Sequence, residues 1–181
     1  MSVLLETERL LLRPPRAADI SHFVPLLGDF DVAKNLSRVP HPYTEDHACA
    51  FIVTAAHSWR DGKEFIFAIL RKEPPAFVGI CGVHPERNWE FGYWLGKPFW
   101  GQGYATEAAG RLVAYCFDDL GAECVNAGWY CDNPASGRVL EKLGCRRSGE
   151  EKRPSLARGC RVSCYLVTLD RATYMTRKMV S

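Results

Sequence analysis

The sequence predicts a mixed α+β layer domain, and three observations lead there. Strand-like runs at 64–70, 77–84 and 89–95 follow one another across short polar turns, as in an antiparallel meander. A glycine-rich turn then enters the most regular helical stripe of the chain. Ala105, Ala108, Ala109, Leu112, Val113, Cys116, Phe117 and Leu120 keep the i, i+3, i+4, i+7 spacing. Beyond it the order closes with a strand, a capped helix and two further strands, giving β, helices, βββ, α, β, α, ββ.

The elements are justified in turn. Residues 10–13 form a short strand halted by Pro14-Pro15. Residues 17–27 and 31–36 read as short helices joined by a Gly-Asp turn, and 38–43 is a loop punctuated by proline. Thr44 is a good N-cap, with Glu45 and Asp46 in the first turn where the helix dipole favours acids. Ala48, Phe51, Ile52, Ala55 and Trp59 mark the buried face of that helix, which ends before Asp61-Gly62. Gly121 stops the central helix. A strand follows at 124–131. Asn133 then caps a helix that has Pro134 at its first position and Gly144 just past its end. Residues 162–170 are the last clear strand, and the tail after Ala172 receives no assignment. With 181 residues and no repeat or low-complexity linker, one domain over 1–181 is expected.

The glycine-rich turn is Phe99-Trp100-Gly101-Gln102-Gly103-Tyr104-Ala105-Thr106-Glu107-Ala108. The first turn of a helix carries unpaired N–H groups and the positive end of the macrodipole. Two glycines one residue apart remove the Cβ atoms that would hold an anion away. The spacing suits a phosphate cradle, and equally a tight turn that needs glycine only for its dihedrals. The ATP loop Gly-x-x-x-x-Gly-Lys-Ser/Thr is absent. A dinucleotide fingerprint would need a third glycine where Thr106 stands.

Continued upstream as Trp94-Leu95-Gly96-Lys97-Pro98-Phe99-Trp100, this stretch resembles the acetyl-CoA signature of GCN5-related N-acetyltransferases (GNAT). It is most similar to the branch of the ribosomal-protein amino-terminal (RimJ/RimL-like) acetyltransferases. Thr7-Glu8-Arg9-Leu10-Leu11-Leu12-Arg13 resembles the opening strand of that branch, and Pro42-Tyr43-Thr44-Glu45-Asp46 the start of an early helix. The run from Asn133-Pro134-Ala135-Ser136 to Lys142-Leu143-Gly144 resembles its second cofactor motif. The likeness runs from about Thr7 to Asp170 in the family's order.

The resemblance implies a central mixed, mostly antiparallel sheet flanked by helices, whose fourth and fifth strands splay to form a cofactor cleft. It implies acetyl-CoA as cosubstrate and direct attack by an amine while both substrates are bound. The backbone around Trp94 and Leu95 would pair with pantetheine. Gly101, Gln102, Gly103, Tyr104, Ala105 and Thr106 would hold the pyrophosphate. Asn133 would hydrogen-bond the pantetheine arm as well as capping its helix. The superfamily usually has Gln or Arg where Trp100 stands, whereas the closer branch commonly has an aromatic there.

Catalytic roles are less determined. Glu90 matches a position where many relatives place a carboxylate base, and its plainer reading is a solvated edge charge. His84, ending the neighbouring strand, is a second candidate because histidine titrates in the right range. The tyrosine many relatives use to protonate the departing thiolate is replaced by Leu140, which leaves Ser136 as the polar residue that could face the sulfur. Deprotonating a lysine amine at neutral pH costs about 4–5 kcal/mol, an α-amino group only about 1 kcal/mol. How strong a base is needed therefore depends on the acceptor. That acceptor would meet the early helices, His41 and Tyr43 of the proline-rich loop, and the aromatics Trp89, Phe91, Trp129 and Tyr130.

Composition narrows the classes. A net charge of +2 gives no electrostatic reason to expect nucleic acid, and the clusters Arg146-Arg147 and Arg171…Arg177-Lys178 read as solvated surface. No apolar run approaches a membrane span, and the opening lacks the basic region of a signal peptide, so a cytoplasmic protein is expected. The eight cysteines contain no Cys-x-x-Cys, and Cys160 and Cys164 lack a second ligand pair. Reduced thiols and no metal are expected. Two classes remain: an N-acetyltransferase acting on a protein amino terminus or on a small amine (aminoglycoside or polyamine), and an acyl-CoA-binding module without catalysis. A homodimer is an option by analogy alone.

Overall fold

The computed structural model describes residues 3–180. A short hairpin, β1 (Leu5–Glu6) and β2 (Leu10–Arg13), opens the chain. Three helices follow: α1 (Ile20–Leu27), α2 (Phe30–Ala33) and α3 (Glu45–Asp61). The meander is β3 (Phe65–Arg71), β4 (Ala76–His84) and β5 (Glu90–Leu95). Then come α4 (Tyr104–Ala114), β6 (Cys124–Tyr130), α5 (Pro134–Lys142), β7 (Arg146–Ser155), β8 (Cys160–Asp170) and α6 (Arg171–Val180). The eight strands form one sheet in the order β1-β2-β3-β4-β5-β6-β8-β7.

Every neighbouring pair is antiparallel except β5 and β6, which run parallel and share a single register pair, Glu90 with Asn126. Past that point the two strands part. This is the splay expected between the fourth and fifth strands; the two-residue β1 shifts their labels to β5 and β6.

Apolar runs in β3 and β4 are continuous because both faces of the sheet are covered. Ile66 and Ala68 face a cluster with Phe23, Leu27 and Ala55 of α1 and α3. Phe67 and Ile69 face the other way, against Leu112, Cys116 and Phe117 of the central helix. Burial pushes the Cys116 thiol up to about 12, so it behaves there as a small apolar side chain. All eight cysteines are free, and no metal-sized cluster of ligands occurs among the described residues. Nor is any described helix long and apolar enough to cross a membrane.

Several boundaries differ from expectation for local reasons. Asp29 accepts from the Asp31 backbone N–H at 2.8 Å, so α2 starts at Phe30 and has ended by Lys34. Helix α4 widens over Tyr115–Asp119 before Gly121 turns the chain at φ +72°. Strand β7 has no apolar stripe; pairing with β8 along its whole length recruits it, and its charges and Pro154 suit the sheet edge it occupies.

The unassigned tail is helix α6, with Ser181 outside the described residues. Arg171 donates to the Phe117 and Ala122 carbonyls at the end of the central helix. Tyr174 stacks on Phe117 and Lys178 pairs with Asp118. These basic residues are therefore struts of the fold.

Candidate active site

Strand β5 ends at Leu95, and the chain crosses the splayed gap through the glycine turn into α4. Gly101 and Gly103 stand at φ +74° and +83°, a region costly for any residue with a Cβ. The first backbone bond of the helix is Glu107 N–H to Gly103 C=O. Among the described residues, the N–H groups of 101–106 have no acceptor within the chain. Six donors converging at the positive end of a helix make an anion cradle.

Residues from the first hairpin fix the cradle. Glu107 accepts from the Thr7 hydroxyl, the Arg9 backbone N–H at 2.9 Å and the Arg9 guanidinium at 2.7 Å. Arg9 also donates to the Gln102 carbonyl at 3.0 Å and lies over the Tyr104 ring. Burial alone would raise the Glu107 carboxyl, but the hydroxyl, the N–H and the guanidinium outweigh it and hold it low. The bracing role of Thr7, Arg9 and Glu107 was not legible in the sequence, because ~100 residues separate partners that the sheet brings together.

From the turn, a cleft of about 1070 Å³ is lined by residues of β5, β6 and α5 and by residues of the early helices. Gly101, Gly103, Tyr104, Ala105 and Thr106 line one end; Glu64, His84 and Glu90 line the other. Two expected cofactor residues are placed differently. The Gln102 side chain folds back to the Pro98 carbonyl at 2.8 Å, leaving only its backbone to the turn. Gly96 N–H bonds the Val78 carbonyl, and antiparallel bonding alternates, so the backbone groups of Trp94 turn to β4 while those of Leu95 face the gap. The Trp94 ring packs on Phe23 and Phe77. Trp100, partly exposed at the turn, donates its indole N–H to the Leu95 carbonyl at 2.8 Å.

On the opposite wall, Asn133 Oδ1 accepts from the Ser136 N–H at 3.4 Å, which caps α5 and leaves the Nδ2 donors toward the cleft. Ser136 Oγ lies 3.0 Å from the Tyr93 hydroxyl of β5, so a hydroxyl pair spans the gap. Burial pushes the Tyr93 phenol up to about 12, keeping it protonated. Leu140 is fully buried in the core. Tyr93 went unnoticed in the sequence because an aromatic on a strand usually reads as core.

At the other end of the cleft, Glu90 is engaged by the Arg153 guanidinium of β7, which also binds Glu151 at 2.6 Å. It is thus neither the solvated edge charge nor the free carboxylate that its position in the sequence suggested. His84 places Nδ1 2.8 Å from Glu64 Oε1, off the line of a good hydrogen bond. The contact with His84 holds the Glu64 carboxyl below the usual range. Of the expected acceptor contacts, Tyr43, Phe91, Trp129 and Tyr130 line the cleft, whereas His41 meets Phe30 edge to face outside it and Trp89 packs against the core.

Comparison with known proteins agrees with this geometry. Residues 9–146 match the family described as acetyltransferase (GNAT) domain. The chain is 28% identical to the uncharacterized N-acetyltransferase YoaA of Bacillus subtilis (strain 168), over 82% of this chain and 86% of that protein. It is 27% identical to the uncharacterized N-acetyltransferase p20 of Bacillus licheniformis, over 94% and 97%. Its fold matches Mycobacterium smegmatis RimJ in complex with CoA-disulfide at a TM-score of 0.81, with 20% identity, over 94% of this chain and 87% of that one.

Proposed function

The chain belongs to the GNAT acetyltransferase family and is an acetyl-CoA-dependent N-acetyltransferase, and on that premise we propose that it acetylates a protein amino terminus by direct attack in a ternary complex. The observation that carries this reading is the continuous cleft, whose lining includes both the glycine turn and the titratable groups Glu64, His84 and Glu90. The fold shared with RimJ supports the branch. The cytoplasm, where acetyl-CoA is available and thiols stay reduced, is the expected site of action.

The chain's own residues divide the work. The N–H groups of 101–106 take the pyrophosphate, with the backbone of Gly101, Gln102, Gly103, Tyr104, Ala105 and Thr106 aligned by the hairpin brace. Leu95, at the end of the Trp94-Leu95 pair, offers its N–H to pantetheine, and Asn133 its Nδ2. The amine attacks the thioester carbonyl, the amide bond forms as the C–S bond breaks, and the thiolate leaves. Ser136, backed by the protonated Tyr93, stands where a hydroxyl can donate to that sulfur. A thiol near pKa ~8.5 is a good leaving group, so this proton is worth only about 2 kcal/mol. Loss of a tyrosine at Leu140 is therefore tolerable.

The test is acetyl transfer to an amine panel, read from the mass of the acceptor because the protein's own cysteines would react with thiol dyes. Transfer confined to peptides with a free α-amine is the expected result. Transfer to lysine side chains, polyamines or aminoglycosides instead would replace the acceptor with a high-pKa amine. Silence across the panel with acetyl-CoA still bound would leave the binding module.

A further inference from the structure

We propose that His84, oriented by Glu64, is the base that takes the proton from the attacking amine, an assignment that rests on the transfer reaction above. When the amine lone pair forms the N–C bond, nitrogen becomes an ammonium and must lose a proton before the tetrahedral adduct can expel thiolate without reverting. Two titratable side chains stand at the acceptor end on neighbouring strands, His84 of β4 directly opposite Glu90 of β5. Glu90 already accepts from Arg153, so an incoming ammonium would have to share its lone pairs with a guanidinium.

His84 is arranged differently. Its side chain is only 19% exposed, and Nδ1 faces the Glu64 carboxylate. The negative charge 2.8 Å away favours a proton on Nδ1 electrostatically, although no aligned hydrogen bond joins the two groups. Nε2 lies 3.4 Å from Arg38 Nη2. A guanidinium has donors and no acceptor, so Nε2 is the accepting nitrogen in this arrangement. The Arg38 side chain is 60% exposed and only 3.9 Å at its nearest from Glu64, which makes it a surface cation that can be displaced. A cationic N–H donor at Nε2 is also what the ammonium nitrogen of the adduct would present. The proton passes to Nε2, the carboxylate of Glu64 stabilises the imidazolium, and solvent takes the proton afterwards. Among the described residues, the charged groups facing this pair are Arg38 from the loop after α2, Glu90 from β5 and Arg87 from the turn after β4.

The experiment is steady-state transfer across pH with the best peptide of the panel, on the full chain and on His84→Gln, His84→Asn, Glu64→Gln and Glu90→Gln. Acetyl-CoA titration calorimetry of each serves as the check of fold. Both His84 variants should lose about 100-fold or more in kcat/KM with cofactor Kd within about twofold, and should lack the acidic limb of the pH profile. Glu64→Gln should lower kcat/KM and alter that limb with cofactor Kd unchanged; a structural role would leave the limb in place. His84 variants with parental kcat/KM and limb, or a loss of that size confined to Glu90→Gln, would overturn the assignment alone. A parent chain that acetylates no amine would overturn the reaction and the base together.

Discussion

Single residues decide whether the cradle is open. Glu107 occupies the first turn of α4, where the dipole alone would favour an acid, yet its three donors come from the hairpin of β1 and β2. Replacing it by Gln keeps a carbonyl acceptor and removes the charge. Hydrogen bonds to a charged group contribute about 1.5–3 kcal/mol, and partial exposure of Arg9 places this one at or below the lower end. Glu107→Gln should therefore cost about 1 kcal/mol in denaturant unfolding at pH 7 and weaken acetyl-CoA binding about threefold to tenfold, with little change in kcat. The sign of the pH dependence follows from the depressed carboxyl. Its contribution is complete above the unfolded value near ~4.3 and disappears as pH falls through the lower folded value, so parent and variant should converge in strong acid. A difference that grows on acidification would contradict the brace.

At the scale of elements, α5 carries Asn133 and Ser136, and its seat is set by Gly137. A Cβ there would stand 2.9 Å from the Trp129 ring. In a free helix Gly→Ala gains about 1 kcal/mol. Against an indole held between strands the overlap costs about 1–3 kcal/mol and moves the helix. Gly137→Ala should thus lower kcat/KM about tenfold or more, through kcat as well as KM, while helix content stays constant by far-UV circular dichroism. A variant both more stable and fully active would show that α5 is not seated on Trp129.

The same scale explains what the sequence could and could not tell. Helices α3, α4 and α5 were legible because each ends at a glycine and opens on a local signal, a capping side chain in α3 and α5 and the glycine turn in α4. Strand β7 was counted in the element order but could not be placed, since Arg146–Ser155 contains no apolar alternation and exists through its partner β8. Helix α6 was obscured because its basic residues act on carbonyls and acids more than 30 residues away. In the site, the glycine turn and the Asn133 cap announce themselves locally. The Tyr93–Ser136 pair and the Glu90–Arg153 pair form only when strands and helix converge on the gap, and no spacing in the chain encodes that distance.

For the whole molecule, the parting of β5 from β6 after Glu90 and Asn126 leaves one continuous cleft, lined by the glycine turn as well as by Glu64, His84 and Glu90. That shape predicts that both substrates are bound together. None of the eight cysteines acts as an acyl carrier in this account: Cys164, which lines the cleft, has its thiol pushed up to about 11 by burial, which removes the thiolate a carrier would need.

The most direct measurement is the initial-rate pattern, varying acetyl-CoA at several fixed concentrations of the acceptor peptide, with the intact protein mass recorded after exposure to acetyl-CoA alone. Lines that intersect in the double-reciprocal plot, with no acetyl group on the protein, are the predicted result. Parallel lines together with a singly acetylated, chemically competent enzyme would contradict it.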